Sequence, residues 1–147
     1  MGELEYVNNF RDLLVYKKSR GISREIFGLT QKFPKEETYS LIDQVRRSSR
    51  SVGAQIAEAW AKRRYEKHFI SKLTDADGEQ QETQHWLGIA LDCGYISHEQ
   101  TKDLVEKCEE IGRMLGGMIN KADSFCNPHL LSVQEEQAAY LTGASDQ

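Results

Sequence analysis

Leu104, Cys108, Ile111, Leu115, Met118, Ala122 and Phe125 follow one another at steps of 4, 3, 4, 3, 4 and 3 residues. An apolar repeat averaging 3.5 residues keeps one face of an α-helix turned toward its neighbours over many turns, and it is the seam of left-handed helix bundles. A half-buried strand would need alternation at every second residue, which this segment lacks. The repeat therefore predicts a helix running to Phe125 and packed against other helices. Ser97-His98-Glu99-Gln100 opens it as a capping box, in which the serine hydroxyl and the glutamine amide satisfy each other's backbone N–H groups. Asn127-Pro128 is expected to stop it.

Three further helices are legible upstream. The first is expected from an N-cap at Asn8 or Asn9 to about Gln31, with Phe10, Leu13, Leu14, Ile22, Ile26, Leu29 and Phe33 interrupted by a polar gap over Lys17, Lys18 and Gly21. Glycine costs about 1 kcal/mol against alanine inside a helix, so Gly21 marks an expected bend or close approach. Lys32-Phe33-Pro34 ends this segment, because the residue before proline is pushed out of the α region. Pro34 then suits the first turn of a second helix, with Glu36 and Glu37 complementing its dipole. That helix carries Tyr39, Leu41, Ile42, Val45, Ser49, Val52, Ile56 and Trp60 on one face, and Gly53 is expected to bend it.

The third helix is expected from Glu66 to Cys93, with Phe69, Ile70, Leu73, Ala76, Gln80, Leu87, Ala90 and Leu91 inward and a polar middle from Thr74 to His85. Gly94-Tyr95-Ile96 reads as a C-terminal glycine followed by apolar contacts. Short connections make sequential helices antiparallel. The expected fold is all-α, an antiparallel up-down-up-down four-helix bundle over residues 1–126, followed by a polar, flexible tail over 127–147.

A chain of 147 residues can build such a core without disulfides or metal. No apolar run approaches the roughly 20 residues of a membrane span, and MGELEYVNNF has no signal-peptide apolar region, so no membrane partner is expected. Cys93, Cys108 and Cys126 form no Cys-x-x-Cys, each is expected to be a buried structural thiol, and a cytoplasmic location is expected from that usage. Charge is unevenly spread: residues 1–72 hold 15 Lys and Arg against 9 Asp and Glu, whereas residues 73–147 hold 4 against 14.

The basic excess concentrates in Gln44–Arg64, where Arg46, Arg47 and Arg50 stand at one end and Lys62, Arg63 and Arg64 at the other. A core-facing helix does not need these six cations. One reading is phosphate binding, in which each Lys or Arg releases counterions and gives sequence-tolerant, salt-sensitive affinity for RNA or DNA. The other is structural: Arg46 and Arg50 share a face with Asp43, and Asp75, Asp77, Glu79 and Glu82 on the third helix form an acidic surface able to meet the basic patch of a neighbouring subunit.

No catalytic residue, metal ligand set or cofactor motif emerges. A di-iron bundle site needs two Glu-x-x-His pairs, and only Glu82–His85 is present. His68, His98 and His129 lie near helix ends or in the tail. Gly112, Gly116 and Gly117 fall inside a helical repeat, where they are expected to permit tight helix packing and not to cradle phosphate.

Val45 to Ala59, VRRSSRSVGAQIAEA, resembles the "IRRAAxSIPxNIAEG" signature of the bacterial four-helix bundle proteins first described as products of intervening sequences in large-subunit ribosomal RNA genes and loosely labelled ribosomal proteins. Phe33-Pro34-Lys35-Glu36 is similar to the family's "FPxxE" junction, and Phe69-Ile70 with Leu73 and Ala76 to its "EFxxFLxxA" run. Gly78, Glu82, Leu87, Ile89, Ala90 and Gly94-Tyr95 keep the spacing of its "GSxxELxTxLxIAxxLGY", and Ile111 to Leu115 resembles its last motif. Gly53, Gln55 and Ala59 replace the usual proline, asparagine and glycine, while Asp77 and Glu79 stand where arginine and serine are common.

The resemblance covers about residues 10–122 and implies an antiparallel bundle assembled as a homopentameric ring. A strongly basic related branch, the accessory proteins of diversity-generating retroelements, is thought to bind nucleic acid and a reverse transcriptase. With a pI near 5.6 this chain is more similar to the generic branch, of unknown function. The expected function is a non-enzymatic, homo-oligomeric accessory module whose partners are its own copies, RNA or DNA, or a reverse transcriptase or other protein. The alternative is a structural protein–protein adaptor whose basic patches serve the subunit interface.

Overall fold

The capping box forms: Gln100 N donates to Ser97 Oγ at 3.0 Å and Ser97 N donates to the Gln100 side chain at 2.9 Å. It opens one of four long helices in a computed structural model, which describes residues 7–126. They are α1 (Leu14–Thr30), α2 (Leu41–Ala61), α3 (Glu66–Asp92) and α4 (His98–Asn120), and a single turn, α5 (Ala122–Phe125), follows. Each packs against its chain neighbour, and α1 closes the ring against α4. The result is the expected antiparallel up-down-up-down bundle, with no strand among the described residues. The expected tail, 127–147, lies outside them.

The last helix is shorter than its repeat implies. Lys121 leaves helical geometry (φ −110°, ψ 25°), and α5 restarts beyond it. Ala122 and Phe125 stay buried nonetheless. The break lets the Phe125 ring stack on Phe69, with centroids 5.6 Å apart, and meet Trp60 edge-on at 6.5 Å.

Helix starts also differ from expectation. Asn9 accepts a 2.8 Å bond from Arg11 N, but the turn it caps is a short 3-10 helix, Phe10–Asp12. Asparagine satisfies the first N–H groups of either helix type, so the cap does not foretell length. Leu13 is buried at the junction, Leu14 is 57% exposed, and Val15 and Ser19 fill the inner face through the apparent polar gap. Pro34 likewise precedes a 3-10 turn, Lys35–Glu37, and not α2. Ser40 (φ −120°, ψ −100°) interrupts the path before Leu41, which leaves Tyr39 94% exposed instead of on the core face.

The linker is held by polar contacts. Glu37 accepts hydrogen bonds from the Ser40 hydroxyl and, at 3.0 Å, from the Tyr95 hydroxyl in the α3–α4 turn. These bonds hold the Glu37 carboxyl below its ordinary range, and the bond to that carboxylate pushes the Tyr95 phenol up to about 12. Gly94 sits at φ +76° while Tyr95 N reaches Ala90 O at 3.0 Å and Gly94 N reaches Leu91 O at 2.9 Å. That bond pair is a Schellman motif, which needs a residue free of the Cβ penalty at its left-handed position.

The interior is apolar with a few paired polar groups. Ile26, Ile56, Phe69, Leu73, Leu87, Ile111 and Leu115 are its most deeply buried large side chains. Across the α2–α3 seam the Thr83 hydroxyl lies 2.9 Å from Ser48 Oγ as donor. Among the described residues no buried side-chain polar atom lacks a partner, as a stable interior requires. Only one glycine of α4 serves close packing: a β-carbon on Gly112 would lie 2.7 Å from Gln80 Nε2, whereas Gly116 and Gly117 face open space. Gly21 makes no close approach either, and α1 runs through it unbroken.

Cys108 and Cys126 are buried as expected, and burial pushes the Cys108 thiol up to about 12. Cys93, by contrast, is exposed, because the chain turns away from the core at the end of α3. Among the described residues no helix is long and apolar enough to cross a membrane.

Candidate nucleic-acid interface

The six cations of α2 and its C-terminal turn do different work. Arg46 leans across to α1: its Nε donates to Thr30 Oγ1 at 2.8 Å, a second nitrogen reaches Phe27 O at 3.5 Å, and its guanidinium lies 4.6 Å from the Phe27 ring centroid. It thereby supports the C-terminal turn of α1, where backbone carbonyls are short of partners and the helix dipole favours a cation. Arg63 repeats the device on its own helix. Its Nε donates to Trp60 O at 2.8 Å, its guanidinium stacks 3.6 Å from the Trp60 ring, and burial lowers its pKa.

Arg46 therefore belongs to the fold. Arg46→Ala is expected to cost about 1.5 kcal/mol of stability, through a lost charged hydrogen bond and lost packing on Phe27. Arg47→Ala is expected to stay within about 0.5 kcal/mol. Urea denaturation of both variants checks this, and equal effects would show that Arg46 is not a clamp.

Arg47 and Arg50 face outward. Arg47 lies 4.0 Å from Asp43, one helical turn back, in a pair exposed on both sides. The expected grouping of Asp43 with Arg46 and Arg50 is thus replaced by Asp43 with Arg47. Arg50 is exposed and stands 5.7 Å from the Phe27 centroid, so it shares that ring with Arg46. With Thr38 and Ser51 these three arginines line an open groove of about 570 Å³, and Asp43 is its one carboxylate. Thr38 and Ser51 carry no cluster signature: Ser51 follows Arg50 in α2, and Thr38 reaches the groove from the linker that precedes the helix. Lys62 and Arg64 are exposed at the opposite end of α2, roughly 20 Å away at 1.5 Å per residue.

The acidic candidates split between two edges of α3. Asp75 lies 3.8 Å from Lys72, which also pairs with Glu58 of α2 at 2.9 Å. Glu79 shares that edge: desolvation and the neighbouring Glu82 and Asp75 raise its pKa, while Arg47 of the same chain opposes the rise. Glu82 accepts a 3.1 Å bond from the Trp86 indole. Asp77 points elsewhere, accepting from Gln80 at 2.9 Å and Gln81 at 3.2 Å. Basic and acidic surfaces are thus adjacent across the α2–α3 seam, a tertiary relation invisible in the sequence. His85 packs beside the Trp86 ring at 4.7 Å, and among the described residues no three His, Cys, Asp or Glu side chains are grouped to hold a metal.

A second concavity lies on the other side of Arg50. Phe10, Tyr16, Arg20, Arg50, Ala54 and Ala57 are among the residues that line a cleft of about 350 Å³ between α1 and α2. A β-carbon on Gly53 would sit 3.1 Å from Ser19 Oγ and 3.4 Å from the Tyr16 ring. Gly53 serves this close approach and not the expected bend, since α2 continues unbroken through it. The one sequence signal near the cleft is the polar gap over Lys17, Lys18 and Gly21, within which Arg20 falls.

Fold and surface define an antiparallel four-helix bundle bearing a basic groove on its second helix. The chain belongs to the 23S rRNA-intervening sequence protein family, whose model matches residues 11–117. It is similar to a solved protein of unknown function from the S23 ribosomal protein family of Bacteroides thetaiotaomicron, with 31% identity and a TM-score of 0.66 over 72% of this chain and 98% of that one. No curated protein matches.

Proposed function

We propose that this chain is a non-enzymatic, homo-oligomeric accessory module that binds RNA or DNA phosphates along the exposed face of α2. The observation that carries the reading is the groove in which Arg47 and Arg50 stand open to solvent beside the hydroxyl of Ser51. Guanidinium and hydroxyl donors are the groups that contact nucleic-acid backbones, and such contacts carry no sequence information. Lys62 and Arg64 extend the footprint along the helix. Arg46 and Arg63 position it without touching phosphate.

The exposed Leu14 at the start of α1 and Tyr39 in the α1–α2 linker offer apolar side chains that a second copy could cover. A pentameric ring is the assembly that the family resemblance implies, and light scattering tests it. Arg47→Ala with Arg50→Ala is expected to weaken RNA and DNA binding across sequences. The slope of log affinity against log salt should fall by about 1.5, in line with two lost phosphate contacts. Undetectable binding of both nucleic acids at low salt would sink the reading. A double variant that falls apart into monomers would instead favour the second reading, an adaptor whose basic patch is a subunit interface.

A further inference from the structure

We infer that the Phe10–Tyr16 cleft takes one unstacked base of a single-stranded nucleic acid whose phosphates run over Arg50 and Arg20. This rests on the phosphate-binding reading above and adds the kind of strand. Arg50 lines both the basic groove and the cleft, so a strand crossing it has phosphate sites on one side and an aromatic wall on the other. The cleft is within the range of small-ligand pockets, and Ala54 and Ala57 line it with little side-chain bulk.

Its chemistry matches a nucleobase. Phe10 and Tyr16 meet edge to face at 4.9 Å, and Arg20 closes over Tyr16 with its guanidinium 5.9 Å from the ring. Aromatic rings with an arginine beside them are the groups on which single-stranded bases stack. Ser19, Ser23 and Ser49 donate their hydroxyl protons to the carbonyls of Tyr16, Arg20 and Arg46, at 2.7, 3.0 and 3.1 Å. Their lone pairs remain as acceptors for base N–H groups, while the guanidiniums donate. A duplex keeps its bases paired and stacked, so it can offer this site phosphates only.

Fluorescence anisotropy with a short uridine oligonucleotide, its thymidine counterpart and a duplex of the same length tests the inference. The single strands are expected to bind at least about 10-fold more tightly than the duplex. Tyr16→Leu should remove about 10-fold of single-strand affinity, leaving duplex affinity and the salt slope unchanged. Ala57→Leu fills the cleft from a half-buried position that the basic groove does not share and should do the same, which settles the matter if Tyr16→Leu does not fold. Equal single-strand and duplex affinity, or unchanged single-strand affinity in Ala57→Leu, overturns the base-binding inference and leaves the phosphate reading standing. Absence of binding to every probe overturns both.

Discussion

Phe69→Ala is expected to lower the free energy of unfolding by about 4 kcal/mol, within the 3–5 kcal/mol range for deleting a buried phenylalanine ring. Phe69 has no exposed surface, sits in the first turn of α3 and stacks on Phe125, which in turn abuts Trp60 of α2. Three helices therefore frame the space that the ring would vacate, and none can move inward without unseating another. Small domains are stable by only about 5–15 kcal/mol, so the variant should unfold at a much lower urea concentration. His68→Ala, one position away and exposed, is expected to change stability by less than about 0.5 kcal/mol. A loss below about 1 kcal/mol for Phe69→Ala would mean that α5 does not cover the ring.

Gly112→Leu is expected to cost about 3 kcal/mol by overpacking the α3–α4 seam. The new β-carbon would fall 2.7 Å from Gln80 Nε2 and 3.2 Å from Asp77 Oδ1. Gln80 cannot retreat easily: it is 4% exposed, donates to Asp77 at 2.9 Å and accepts from Gln84 at 2.7 Å. Displacing its amide would break a satisfied buried network as well as spread two helices. Gly116 lies one turn further along in open space, so Gly116→Ala is expected to stabilise by up to about 1 kcal/mol through helix propensity alone. Thermal melts of the two variants should move in opposite directions, and a shared direction would refute the contrast.

Local signals in this chain are legible in its residue order, and tertiary ones are not. The capping box at Ser97 and the Schellman turn at Gly94 are built from residues within six positions of one another, so their chemistry is visible in the chain order. The helix starts expected at Asn9 and Pro34 fall later in the chain, because a 3-10 turn and an α-helix want the same cap. Tyr39 and Leu14 followed the apolar pattern yet face outward, since those 3-10 turns shift the phase of the helices after them.

At the candidate site the clustering of arginines was legible, but the division of labour was not. Arg46 is committed to Thr30 and Phe27, residues 16 and 19 positions away, and no local spacing announces such a partner. The same holds for Gly53: its missing side chain signalled something, but only the packed α1–α2 pair shows that Tyr16 and Ser19 occupy the space. The acidic stretch of α3 was visible as charge, whereas its apposition to Arg47 arises from the hairpin that α2 and α3 make.

Helix order around the bundle also bears on how the chain reaches this state. Three of the four seams join consecutive helices, and only α1 against α4 links distant segments. Local hairpins close cheaply, so this topology favours collapse on the microsecond-to-millisecond scale of helical domains. The α2–α3 pair makes the broadest seam and holds the Ser48–Thr83 bond, which suits it to nucleate. Closure of α1 onto α4 must bring together Lys18 with Glu110 and Glu25 with Lys107, exposed charges that attract from afar but stabilise little. Both seams of α1 are narrower than the α2–α3 seam, so the first helix is expected to dock after that hairpin, and the arginine that clasps it, Arg46, is expected to act more on the lifetime of the folded state than on the speed of reaching it.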